Sequence, residues 1–189
     1  MIVKVCGITR REDAEVAVEA GASAIGFIFY KPSPRYVTPE KARELGDSLN
    51  VWKVGVFVDE SPTDIEAVMR AANLDVAQIY GDTSVLSFRV WHAVRIQSES
   101  SARQGGGQHP AEALFLDSSG NGLSFNWALA RNAAPKVIIA GGLDASNVRE
   151  AIRIAQPWGV DASSRLEISP GIKDHEKMWR FIESAREIS

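Results

Sequence analysis

Cys6 ends a short apolar run, Ile2–Cys6, and Gly7 follows it, a residue that permits a sharp turn. A thiol at a strand end can act as a base once it is a thiolate. A positive neighbour lowers its pKa from about 8.5 toward that state. Lys4 stands two residues earlier and shares the strand face of Cys6. If that face points into a barrel, Lys4 lies one layer deeper and needs a partner, for which Asp161 is a candidate. The alternatives are a cysteine that is a small core residue and a lysine on the rim. Asp117 ends a second apolar run, Ala-Leu-Phe-Leu-Asp. A carboxylate there is either a turn or helix cap or a general acid, whose pKa desolvation would raise toward neutrality.

Two further clusters could receive an anion. Gly141 and Gly142 follow an apolar run, and Ser163 and Ser164 follow the next. Paired glycines let the backbone approach an anion, and serine hydroxyls with backbone N–H groups donate to it; read otherwise, both pairs are ordinary turn residues. Arg35, in Ser33-Pro34-Arg35-Tyr36, is able to grip a carboxylate or phosphate with two parallel hydrogen bonds, or is solvated. His92, His109 and His175 lack metal-ligand spacing, and none is expected to be catalytic. Neither a Gly-x-Gly-x-x-Gly nor a Walker-type loop is present, so a dinucleotide or a nucleoside triphosphate is not expected.

These residues must be positioned by regular elements. Short β-branched runs lie at 2–6, 24–29, 52–58, 76–79, 90–96, 113–117, 136–140 and 158–161, each the length of a buried strand. Amphipathic segments at 12–20, 39–49, 62–72, 147–154 and 174–188 separate or follow them. Thr38 and Ser61 precede Pro39 and Pro62 as N-caps. Alternating strands and helices imply parallel strands joined by crossovers. Eight strands, with a helix after the last, predict a single closed (β/α)₈ barrel over residues 1–189 rather than an open sheet. The mouth at the strand C-terminal ends would then collect Cys6, Asp59, Gln78, Tyr80, Arg95, Gln97, Asp117, Gly141–Gly142 and 161–164. The fourth and fifth crossovers, 83–88 and 98–104, read as too short for full helices, and Gly105 to Pro110 reads as a loop. The 189 residues fall below the ~200 usual for such barrels.

Composition excludes other classes. Net charge is −3, with 45% hydrophobic and 24% charged residues. This balance argues against nucleic-acid or membrane-surface binding. One cysteine makes no disulfide or Cys-rich zinc site. With neither a signal-peptide core nor a spanning segment, the expectation is a cytoplasmic protein.

Several segments together resemble the phosphoribosylanthranilate isomerase family of tryptophan biosynthesis. They are Lys4-Val-Cys-Gly-Ile-Thr9, Gly26-Phe-Ile-Phe-Tyr30 with Ser33-Pro-Arg-Tyr-Val37, Val54-Gly-Val-Phe-Val58, Ala140-Gly-Gly-Leu143 with Asn147-Val148, Gly159-Val-Asp-Ala-Ser-Ser164 and Pro170-Gly-Ile-Lys-Asp174. The resemblance implies a barrel without cofactor or metal. It implies the Amadori rearrangement of N-(5-phosphoribosyl)anthranilate to 1-(2-carboxyphenylamino)-1-deoxyribulose 5-phosphate. Cys6 matches the family's general base and Asp117 its general acid. Arg35 matches the arginine that meets the anthranilate carboxylate, and Gly141, Gly142, Ser163 and Ser164 match the phosphate site. Gln78 and Asp161, at strand ends, complete the expected substrate-binding set.

Three positions differ from the family pattern. The segment after Asp117 is short, Tyr80 replaces an imidazole, and Arg165 replaces a glycine. The short segment keeps open a barrel that binds a phosphoribosyl ligand without turnover. A related sugar-phosphate isomerase of histidine biosynthesis ranks lower, because position 6 is cysteine rather than aspartate. The expected partner is the small phosphorylated substrate, with a monomeric chain, or a homodimer as the alternative.

Overall fold

The computed structural model describes residues 1–81, 87–96, 111–118 and 125–187. Eight parallel strands follow one another around a closed barrel: β1 (Ile2–Cys6), β2 (Ala24–Ile28), β3 (Trp52–Phe57), β4 (Val76–Ile79), β5 (Arg89–Ile96), β6 (Ala113–Ser118), β7 (Val137–Ala140) and β8 (Gly159–Ala162). β8 closes the ring on β1, with Lys4 opposite Asp161. Among the described residues, five α-helices cover the outside: α1 (Arg11–Glu19), α2 (Pro39–Gly46), α3 (Pro62–Ala71), α4 (Val148–Ala155) and α5 (His175–Arg186). The barrel expected from the alternation of runs is the barrel observed, with strand ends shifted by a residue or two.

The pleat sorts side chains into two cores. Outward residues such as Val3, Val5, Ile25, Phe27, Ile139 and Val160 pack under the helices. Inward residues, among them Ala24, Val54, Val76, Trp91, Phe115 and Ile138, fill the barrel. Helix starts follow local chemistry. The hydroxyls of Thr38 and Ser61 accept from the backbone N–H groups of Lys41 and Asp64, each with proline just inside the helix. Asp174 caps α5 by accepting from the Lys177 N–H, so that helix starts at His175 rather than at 174.

Two features were not anticipated by the sequence reading. After β8 the chain makes a three-residue 3₁₀ turn, Ser164–Leu166, and then an antiparallel hairpin of β9 (Glu167–Ser169) and β10 (Ile172–Lys173). Before β7, a 3₁₀ turn at Trp127–Ala130 stands where an α-helix usually covers the barrel. Apart from Ser87 and Phe88, the short crossovers expected at 83–88 and 98–104, with Gln97, the loop to Pro110 and the segment 119–124, lie outside the described residues.

Candidate active site

The inward parity of β1 stacks Lys4 beneath Cys6 inside the barrel. Lys4 is fully buried, and its Nζ donates to Asp161 Oδ1 at 2.8 Å. This is the partner that burial of an ammonium requires. Burial pulls the Lys4 pKa down, but Asp161 and Cys6 more than offset this, and the net shift is upward. The ammonium therefore stays charged.

Space for this column comes from the neighbouring strand. Gly26 is the register partner of Cys6, and a Cβ on it would lie 2.8 Å from Cys6 Sγ and 3.0 Å from Lys4 Cε. Glycine at this strand position is what admits both side chains.

Cys6 differs from expectation in its protonation. Burial pushes the thiol up, Lys4 pulls it down and Asp161 pushes it up again, for a net rise. Lys4 does stand beside the sulfur, but its charge is already matched by Asp161. With these neighbours Cys6 is a thiol at neutral pH.

Asp117 stands one residue before the end of β6 and faces inward, with Arg95 of β5 and Ala140 of β7 as register partners. Burial raises its pKa, the Tyr80 hydroxyl lowers it, Asp161 raises it, and Arg95 and Lys4 lower it. The outcome is about 6. Tyr80 Oη donates to Asp117 Oδ2 at 2.8 Å. The phenol's own pKa is pushed well up, first by burial and then by the Asp117 charge, so it keeps its proton. Gln78 Nε2 lies 3.5 Å from the phenol oxygen, and Gln78 Oε1 is buried without a partner among the described residues.

The rim is built from the turns after β7 and β8. Gly141 and Gly142 both have positive φ, +89° and +66°. A Cβ on Gly141 would collide with the Ser118 hydroxyl. Asn147 secures the turn: its Nδ2 donates to the Gly142 carbonyl, and its Oδ1 accepts from the Asp144 N–H. Ser163 Oγ donates to the Cys6 carbonyl at 3.0 Å, joining the ends of β8 and β1.

Arg35 is not solvated. Its Nε and Nη2 donate to the two oxygens of Glu167 at 2.8 and 2.6 Å, a bidentate pair. Glu167 also accepts from the buried Lys173 Nζ at 2.9 Å, which in turn reaches the Ser163 carbonyl. Among the described residues, two N–H bonds of the guanidinium are used and three remain. Arg165 has its charge matched by Asp144 across the two rim turns.

All nine expected residues line one cavity: Cys6, Arg35, Gln78, Asp117, Gly141, Gly142, Asp161, Ser163 and Ser164. Tyr80, Ser118, Leu143, Ala162 and Arg165 share its walls, with Ile28 and Val56 on the β2–β3 side. Asp59 instead lines a separate surface groove. Among the described residues no group of three His, Cys, Asp or Glu comes together to hold a metal ion, and no helix is long and apolar enough to cross a membrane. Sequence reasoning missed Gly26, Asn147 and Glu167 as site builders. All three lie within or beside the quoted motifs, but their roles depend on distant partners.

Residues 3–184 match the protein-family model described as N-(5'phosphoribosyl)anthranilate isomerase. The N-(5'-phosphoribosyl)anthranilate isomerase of Solibacter usitatus is 46% identical over 196 residues, covering 98% of each chain. Among solved structures, monomers generated from the dimeric enzyme of Thermotoga maritima superpose with a TM-score of 0.91 at 37% identity. That match covers 99% of this chain and 100% of the other. A phosphoribosyl anthranilate isomerase in complex with reduced 1-(o-carboxyphenylamino)-1-deoxyribulose 5-phosphate gives a TM-score of 0.90 at 36% identity, with the same coverage.

Proposed function

Since the chain belongs to the N-(5'-phosphoribosyl)anthranilate isomerase family, we infer that it catalyses that family's isomerisation and that Cys6 and Asp117 carry the proton transfers. One observation carries the assignment of roles. β7 and β8, whose turns form the rim, lie between the strands bearing Asp117 and Cys6. A phosphate held by Gly141, Gly142, Ser163 and Ser164 would place its ribose between the two groups.

The chemistry then runs in two steps. Asp117 gives a proton to the ribose ring oxygen, the C1′–O bond breaks, and the nitrogen lone pair forms an iminium. Cys6, as thiolate, removes the C2′ proton, and the electron pair neutralises the iminium to the enolamine. The tautomer of that enolamine is the aminoketose. No electrons enter or leave. Arg35, with Ile28 and Val56 beside it, offers a cation and an apolar wall suited to the benzoate of anthranilate. Glu167 anchors Arg35 from behind and leaves guanidinium N–H groups for the substrate carboxylate. Lys4 and Asp161 hold the floor beneath the sulfur.

The free site stores its protons in the reverse of the working order. Near neutral pH the sulfur is protonated and Asp117 is mostly ionised. The thiolate–acid combination is then a minor form of a coupled pair. The iminium charge beside C2′ favours thiolate formation during the reaction. The rate as kcat/KM should hold level from about pH 6 until the Cys6 thiol ionises at alkaline pH, where the pair loses its last proton. Below about pH 6, it should fall as the pair takes up a second proton.

The test is turnover of freshly prepared N-(5-phosphoribosyl)anthranilate by the full chain, with Cys6→Ala and Asp117→Ala in parallel. Each variant should lose roughly 10²–10⁴ in kcat while keeping its thermal transition. Near-wild-type kcat in either would remove that residue from its role. Binding without turnover by the unaltered chain would make it a ligand-binding barrel.

A further inference from the structure

We propose that Tyr80 is a positioning residue for the acid step: its hydroxyl occupies Oδ2 of Asp117 and reserves Oδ1 for the transferable proton. The inference rests on the reading of Asp117 as general acid and adds which carboxyl oxygen acts and what fixes it.

The geometry is specific. Tyr80 stands just past β4 with the inward parity of Val76 and Gln78, and it lines the same cavity as Cys6 and Asp117. Its hydroxyl has one hydrogen, which is committed to Asp117 Oδ2 at 2.8 Å. A proton on Oδ2 would face that hydrogen and force it away into a buried site. The carboxyl proton therefore sits on Oδ1. The ring is held as well: the Arg95 guanidinium lies 5.1 Å from its centroid, over the face of the phenol. Gln78 Nε2 donates to the phenol oxygen at 3.5 Å, and as a donor it does not compete for the phenol hydrogen.

Phenol also differs in kind from the imidazole at the matching position of the resembled family. A histidine gains a charge near neutral pH, whereas Tyr80, its pKa pushed well up by burial, keeps its proton and donates throughout the working range. The charged groups acting on Asp117 from its surroundings are Arg95 of β5, Lys4 of β1 and Asp161 of β8, with Cys6 of β1 close enough to act on Tyr80. None of these changes when the phenol oxygen is removed.

The experiment measures kcat and KM from pH 5 to 9 for the full chain and for Tyr80→Phe, Tyr80→His and Asp117→Asn. Tyr80→Phe should lower kcat about tenfold, a fraction of what a general acid contributes, with KM within about twofold. Its limb near pH 6 should move to higher pH, because the carboxylate loses a donor. Tyr80→His should recover most of kcat and add a new ionisation to the profile. Wild-type kcat and an unmoved limb in Tyr80→Phe, beside an inactive Asp117→Asn, overturn the proposal and leave the acid assignment standing. An active Asp117→Asn overturns the acid assignment itself. If phenylalanine at this position prevents folding, the Tyr80→His profile decides alone: a new ionisation supports the proposal, and a wild-type profile overturns it.

Discussion

The two ends of the barrel interior are built from the same alternation of inward residues, yet their polar groups behave differently. At the end where the strands begin, Trp52, Trp91 and Trp158 pack with ring centroids 6.0–6.4 Å apart. Arg89 lies over Trp52 and Lys136 over Trp158, and Glu112 binds both cations at 2.9–3.0 Å. Those charges sit at the surface and satisfy one another. At the other end, Cys6, Tyr80 and Asp117 are all pushed upward in pKa, with burial the largest cause in each. One end removes indole surface from water and leaves its ions solvated. The other keeps ionisable groups dry and only partly compensated, the condition under which a proton can be held ready for transfer. Stability and chemistry are thus divided along the barrel axis.

Breaking the apolar end gives the largest expected effect. Trp91→Ala removes a fully buried indole and should cost about 3–5 kcal/mol of stability. Per folded molecule, kcat should stay within about twofold. Thermal denaturation together with rates at a permissive temperature measures both, and a large fall in kcat would show that the two ends are coupled.

A smaller effect sharpens the polar end. Glu167→Gln keeps the shape but removes the charge behind Arg35, and should raise KM about tenfold, the equivalent of 1.4 kcal/mol, with kcat little changed. An unchanged KM would mean that Arg35 needs no anchor. The smallest effect belongs to the solvated ions. Arg89→Ala should alter stability by about 1 kcal/mol or less, because the pair and the cation–π contact are partly exposed, and should leave kinetics untouched. A clear kinetic change in that variant would contradict the division.

The sequence displays most of this frame because each barrel strand is a short β-branched run closed by turn residues. The same alternation that marks a strand also assigns Lys4 and Cys6 to one face. The hairpin Glu167–Lys173 is illegible for the opposite reason. Its strands are two and three residues long, and Ile168 is 72% exposed, so no burial pattern marks it. Residue types pointed to Cys6 and Asp117, but not to the direction of the Cys6 shift. That direction is set first by burial of the sulfur, which outweighs the pull of Lys4, with Asp161 adding to the rise. Gly26 reads as an ordinary strand glycine until the β1–β2 register places it opposite Cys6. Arg35 reads as a free loop cation because Glu167 is 132 residues away.

The Lys4–Asp161 pair spans 157 residues. At a ribosomal rate of ~5–20 residues per second, the aspartate emerges about 8–30 s after the lysine. Throughout that interval the ammonium has to remain in water, so β1 cannot settle into its final place on the nascent chain. Ring closure, desalting of the interior and assembly of the catalytic floor then become one late event. A chain released before β8 would carry a hydrated lysine on the open edge strand of its own unfinished sheet.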